Sequence, residues 1–216
     1  MSTPRATSYA EKTAELKSQW QSGSGQIRLA KSTISNLFRY QPRGTAQRRI
    51  SLNAFNGVLA IDPVARTADV EGLATYETVV KACLKHGLLP LVAPELKHIT
   101  VGGATVGIGI ESTCFRYGFV HDGLIEADVL LPGGEIVTCR ADNEYADLFH
   151  ALPNSYGTLG YILRARIALH PAAAYVHLHM QPFEEIGAYL RRCASQPSRR
   201  IWTSSKDCSS KTGDFS

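Results

Sequence analysis

The sequence predicts an α+β fold, and three observations carry that prediction. Two pairs of strand-like runs are separated by proline and glycine turns, one segment has clear helical periodicity, and one long run near residue 165 alternates apolar and charged positions.

Residues 8 to 20 place Tyr9, Leu16 and Trp20 among polar positions, which predicts a surface helix or packing arm before the flexible stretch 21–25. Ile27 to Ala30 alternates, and so does Ile50 to Phe55, so both are expected as strands. Gly57 to Ile61 and Thr67 to Val70 flank Asp62-Pro63, predicting a hairpin. From Thr75 the period turns helical, with Tyr76, Val79, Val80, Cys83 and Leu84 on one stripe and Gly87 where a left-handed terminator belongs. Leu88 to Val92 is expected as a short buried strand. Leu124 to Leu131 and Glu135 to Arg140 form a second hairpin across Pro132-Gly133-Gly134. A short helix over residues 145–152 leads to a strand from Tyr161 to His170, where Leu163, Ala165, Ile167 and Leu169 alternate with Arg164 and Arg166. After Pro171 the composition shifts, with a strand expected at 175–180 and a helix at 183–193.

With 44% hydrophobic and 19% charged residues, the chain belongs among ordinary globular proteins, not disordered ones. The net charge of +4 comes from scattered Lys and Arg, a poor footprint for nucleic acid. No apolar run reaches the ~20 residues of a membrane span, and the N-terminus lacks a signal-peptide core. A cytoplasmic protein is expected, with membrane association through partners left open. The five cysteines, at 83, 114, 139, 193 and 208, show no Cys-x-x-Cys spacing and are expected to be reduced, with no metal site.

The densest chemical signal is Thr100 to Ser112, with four glycines in eight positions. Glycine frees the backbone to approach a ligand and to aim successive N–H groups at a diphosphate. A Rossmann turn fits poorly, because Gly107-x-Gly109 lacks the third glycine, no clear helix follows and no acidic residue closes a strand about 20 residues on. A Walker loop is excluded by the absence of Gly-Lys-Ser/Thr. A glycine-rich crossover in an ordinary sheet is the alternative.

The segments AKSTISNLFR, LAIDPVARTADVEG, PELKHITVGGATVGIGIEST, RYGFVHDGLIEADVLLPGGEIVTC and DLFHALPNSYGTLGY follow one another in an order that resembles the vanillyl-alcohol-oxidase, or PCMH-type, FAD-binding domain. The wording of the third and fifth is similar to the Δ24-sterol reductase, or diminuto-like, branch. The resemblance covers roughly residues 26 to 180. It implies an FAD-binding domain of two α/β subdomains over residues 26–172, preceded by an N-terminal arm (1–25) and followed by the start of a substrate domain (173–216), expected to be incomplete.

By that resemblance Ser32, Thr33, Ser35 and Asn36, with Thr100, Val101, Gly102, Gly103, Thr105, Gly107, Gly109 and Ser112, hold the diphosphate and ribityl chain. Gly157, Thr158, Gly160 and Ile162 border the flavin or adenine. The first loop holds no histidine, so FAD is expected to be noncovalent. The implied reaction is hydride transfer from NAD(P)H through the flavin to a C=C bond of a sterol-like or other lipid alkene. An FAD-linked alcohol or sugar oxidase, or a noncatalytic flavin-binding fragment, are the alternatives, and the catalytic acid is not assigned. His177 with His179 reads as a solvated strand face and not a metal pair, Cys114 as a small buried residue and not a nucleophile, and His121 with Asp122 as a local turn and not a catalytic pair.

Overall fold

The computed structural model describes residues 7–23, 25–31, 48–173, 175 and 180–195. The chain divides into two compact units, Met1–His170 and Pro171–Ser216. In the second, the described element is helix Ile186–Ser195, close to the expected 183–193; residues 176–179, including His177 and His179, lie outside the described residues.

The first unit is built on an antiparallel sheet. Its central path runs β3 (Val58–Asp62), β4 (Thr67–Glu71), β8 (Tyr161–Pro171), β6 (Leu124–Leu130) and β7 (Ile136–Cys139), with β5 (Leu88–Pro90) also pairing β8. Both expected hairpins are present, β3 with β4 and β6 with β7. In the first turn Asp62 contributes as much as Pro63, since its Oδ1 accepts from the N–H groups of Val64 and Ala65. A separate parallel pair joins β1 (Ile27–Ala30) to β2 (Arg48–Ser51). The expected strand at Ile50 to Phe55 is therefore displaced. Beyond Ser51 the chain turns, with Phe55 N–H bonded to the Leu52 carbonyl, and both side chains are buried by that turn.

One sheet face carries the larger core. Ala68, Val70, Ala127, Val129, Ala165 and Ile167 pack there with Tyr76, Val79 and Cys83 of α2 (Tyr76–Leu84) and Val101 and Ala104 of α3 (Val101–Val106). Gly87 takes φ +66, as expected of the terminator after α2. The alternation predicted along β8 is interrupted. Asp128 pairs Arg164 but Val129 pairs Ile162, so Leu163 falls out of step. Ile162 then joins the larger core, and Leu163 joins a second core with Leu16, Ile50, Leu52, Phe55 and Leu130.

That second core is where α1 (Tyr9–Gln21) packs. Ser8 caps it with Glu11 in a reciprocal box, and Leu16 is its buried residue. Polar bonds reinforce the packing: the Tyr9 hydroxyl donates to Asp128 at 2.8 Å and Lys12 Nζ to both oxygens of the fully buried Glu71. Asp128 also receives a fork from Arg164, whose guanidinium reaches Asp69 and Glu126 as well. Burial alone would raise the Asp128 carboxyl, yet the bonds from Arg164, Thr138 and Tyr9 together hold it below its ordinary value.

Candidate functional site

The segment expected to be a loop over Thr100 to Ser112 begins as a helix. Thr100, in extended backbone, caps α3 by accepting from Gly103 N–H at 3.2 Å, and Val101, Ala104 and Thr105 turn into the core. The first N–H groups are used within the protein: Val101 donates to the Ala74 carbonyl and Gly102 to the Gly72 carbonyl, both at 2.9 Å. Gly107 and Gly109 donate to the carbonyls of Gly103 and Ala104. Along α3 the amides are thus spent on the helix, its cap and the neighbouring backbone. Val101, Gly102 and Thr105 are buried and present no surface to a ligand; Gly103 and Ser112 are exposed, and Gly107 and Gly109 half-buried.

Close packing explains several of the glycines. A Cβ at Gly102 would lie 2.9 Å from the Gly72 carbonyl oxygen, and one at Gly72 would collide with the Ile162 carbonyl. Three backbones thus cross at contact distance, which no side chain permits. Gly72 was not singled out by the sequence reading.

Beyond α3 the backbone is strained. Ile108, β-branched, has φ +54, and on a neighbouring segment Asn154, Tyr156 and Gly157 have φ +62, +50 and +80. The Tyr156 N–H donates to the Val106 carbonyl at 3.1 Å and joins the two. Each such non-glycine residue costs about 1 to 3 kcal/mol, and strain of this kind collects at ligand clamps. Two buried polar atoms adjoin these segments with no hydrogen-bond partner among the described residues: Ser155 Oγ and His121 Nδ1. His121 lies on the turn Val120–Gly123, whose Val120 N–H reaches the Gly109 carbonyl at 3.4 Å. Buried polar atoms are normally satisfied, so two orphans around one strained junction suit a site that receives polar atoms from a ligand. Large apolar side chains are exposed on the same segments, including Ile110, Tyr156, Leu159 and Tyr161.

A cavity of about 480 Å³ opens between the parallel pair and the end of β6. Its lining includes Trp20, Leu29, Arg48, Gly157, Gly160 and Tyr161. Ser32, Thr33, Ser35 and Asn36 lie outside the described residues, but Leu29 and Arg48, which precede and follow them, both line this cavity. Gly157 faces open space, since a Cβ there would meet nothing nearer than the Gly160 carbonyl at 3.8 Å. Gly160 packs instead, with Val129 at 2.6 Å from its missing Cβ. Thr158 closes the turn by bonding the Ser155 carbonyl through its hydroxyl and N–H, and Ile162 is buried beneath it in the core. The structure therefore gathers Gly157 and Gly160 with Leu29 and Arg48. It keeps Ile162, Val101, Gly102 and Thr105 below the surface.

The remaining candidates are local. Cys114 Sγ accepts from the Glu111 N–H at 3.1 Å, and Asp122 bonds the Phe119 N–H at 2.6 Å, with His121 Nε2 4.0 Å from Asp122. Burial pushes the thiols of Cys83 and Cys139 up to about 11, so both are neutral at ordinary pH. Cys83, Cys114, Cys139 and Cys193 are free. No helix among the described residues is long and apolar enough to cross a membrane.

Comparison with known proteins shows the family of the chain. The family described as FAD binding domain matches residues 25–140, more than half of the chain. The chain belongs to the PCMH-type FAD-binding-domain family. Δ24-sterol reductase of Pisum sativum is 35% identical over 133 residues, covering 62% of this chain and 24% of that protein. The Homo sapiens Δ24-sterol reductase is 33% identical over 153 residues, 71% of this chain and 29% of that protein. Cytokinin dehydrogenase 6 of Oryza sativa subsp. japonica is 34% identical over 149 residues, 69% of this chain and 28% of that protein. The chain thus spans 24 to 29% of the length of these relatives. Among solved structures, 6-hydroxy-D-nicotine oxidase from Arthrobacter nicotinovorans superposes with a TM-score of 0.60 at 16% identity, covering 74% of this chain and 35% of that one, which shows the shared fold. The family is one of FAD-binding oxidoreductases, and a flavin cofactor is what its domain supports.

Proposed function

We propose that this chain is the FAD-holding part of an oxidoreductase that moves a hydride from NADPH to a C=C bond of a sterol-like or other lipid alkene. The observation carrying the FAD part is the cavity lined by Leu29, Arg48 and the open backbone of Gly157, which follows Tyr156 of the strained junction in the chain. Bound there, the flavin would supply the hydride relay, a reaction no side chain of this protein performs.

The protein's own share is binding and orientation. Ser32, Thr33, Ser35 and Asn36 are the proposed diphosphate donors, because the amides of α3 are already bonded. Thr100 acts through its cap on α3, and Gly103, Gly107, Gly109 and Ser112 offer accessible backbone beside it. Gly157, Thr158 and Gly160 form the turn against which a flat ring rests. Ser155 Oγ and His121 Nδ1 are the groups free to bond it. Residues Ala30 to Phe38 contain no His, Cys or Tyr, so a noncovalent complex follows from the absence of a nucleophile in that loop. The sterol-like substrate is supported by the sterol reductase relatives. The cytokinin dehydrogenase relatives favour a second reading, in which a substrate is oxidised and the reduced flavin passes electrons onward. A cytoplasmic location with no nucleic-acid partner completes the proposal.

Purified chain dialysed against FAD tests the binding: stoichiometric flavin is expected, released into the supernatant by acid precipitation. A yellow pellet would contradict the noncovalent assignment, and colourless protein would contradict the site. For the activity, the protein carrying the full relative-length sequence should oxidise NADPH anaerobically beyond one equivalent per flavin only with a sterol alkene present; rapid reoxidation by oxygen after an amine or alcohol substrate would favour the second reading.

A further inference from the structure

Trp20 stands at the end of α1, ahead of the residues 25–140 that match the family, yet it lines the same cavity as Gly157 and Tyr161. Its placement is enforced from two sides. At the β6–β7 turn Gly134 has φ +89, and any Cβ there would collide with the indole ring, so the turn is shaped to receive it. On the other side the Arg48 guanidinium donates to the carbonyls of Gln19, Trp20 and Gly23, closing the end of α1 onto the first residue of β2. The body of the helix is held by Leu16 in the second core and by the Tyr9–Asp128 and Lys12–Glu71 bonds. A half-buried tryptophan held this firmly beside open glycine backbone and a second aromatic residue, Tyr161, is suited to take a flat heteroaromatic ring.

We propose that α1 is a wall of the nucleotide cavity and that Trp20 stacks on one of the two ring systems of the bound dinucleotide. The inference rests on the FAD reading above and adds to it a residue and an element that precede the family match. Adenine and isoalloxazine share the flat, polarizable face that an indole recognises, so the two ends of FAD are separated by experiment.

The test measures FAD dissociation constants by equilibrium dialysis on the 216-residue chain, its Trp20→Phe and Trp20→Leu variants, with unfolding midpoints of the unliganded proteins recorded beside them. Phenylalanine keeps a stacking face, and leucine keeps apolar bulk without one. Trp20→Phe is expected to bind within about twofold of the parent and Trp20→Leu about tenfold or more weakly. Equal affinity in the two variants would overturn the proposal, because bulk alone would then suffice. ADP and FMN as competitors identify the ring: whichever loses affinity in Trp20→Leu occupies the indole, and loss of neither contradicts stacking. Should Trp20→Leu fail to fold, Trp202→Phe leaves Trp20 as the sole tryptophan; its emission must then be quenched by ADP or its indole absorption perturbed by FMN, and no response to either overturns the proposal. A parent chain that binds no FAD removes the FAD reading and this inference together, whereas a binding parent with matched variants removes only this one.

Discussion

At Gly72 and Gly102 the missing side chains make room for the protein's own backbone, whereas at Gly157 the missing side chain leaves open space at the edge of a cavity. The two regions adjoin through the Tyr156–Val106 hydrogen bond and look alike in sequence, each a cluster of glycines with small residues. Their physics differs. In the first, glycine is a packing residue whose replacement strains the fold; in the second, it is a surface residue whose replacement reshapes a site. A glycine-rich segment therefore points to a ligand only where the space beside it is empty.

Substitutions sharpen that contrast. Gly72→Ala should be the most damaging, lowering unfolding free energy by about 3 kcal/mol or more in urea, since the new methyl meets backbone that cannot yield. A loss under 1 kcal/mol would show that the crossing relaxes easily and blur the distinction. Next, the hold on α1 beside the cavity should weaken in acid. Asp128 titrates below its ordinary 3.8 in the folded protein, so its stabilising contribution is complete above that value and disappears as pH falls through the depressed folded one. Asp128→Asn should cost about 1 to 3 kcal/mol at neutral pH and flatten the loss of stability below about pH 4. Unchanged acid sensitivity in the variant would assign the effect to other carboxylates.

Gly157→Ala should cost only about 1 to 2 kcal/mol, from its φ of +80, while weakening FAD binding more than Gly72→Ala does in whatever fraction of that variant remains folded. Equal FAD affinity in Gly157→Ala and parent would mean the turn lies away from the ligand. Smallest of all, Gly133→Ala meets no atom within 4 Å and has no left-handed backbone, so thermal unfolding and FAD affinity should both stay unchanged, with stability within about 0.5 kcal/mol.

Where periodicity was strong, the sequence sufficed. The stripe of Tyr76, Val79 and Cys83 with Gly87 behind it is the helix that forms, and both hairpins close at their proline and glycine turns. Elsewhere tertiary structure overrode local signals. α3 reads as a loop because each helical glycine costs about 1 kcal/mol relative to alanine, but the backbone crossing at Gly72 tolerates nothing larger. Leu163 departs from its alternating partners because of a register shift that no single-strand pattern reports. Leu52 and Phe55 look like strand residues since a buried turn also needs apolar side chains. Along the cavity lining, Gly157 and Gly160 were legible from their motif. Trp20 and Arg48 were not, because their roles come from contacts with Gly134 and with the end of α1, far away in the chain.

The central claim is that FAD occupies the cavity between the parallel β1–β2 pair and the end of β6. A crystal structure of this chain grown with FAD addresses it most directly. The account predicts density for a ring system in contact with Trp20 and the Gly157–Tyr161 turn, and a polar atom of the ligand within hydrogen-bonding distance of Ser155 or His121. FAD bound on another face, with this cavity empty and both of those side chains still unpartnered, would contradict it.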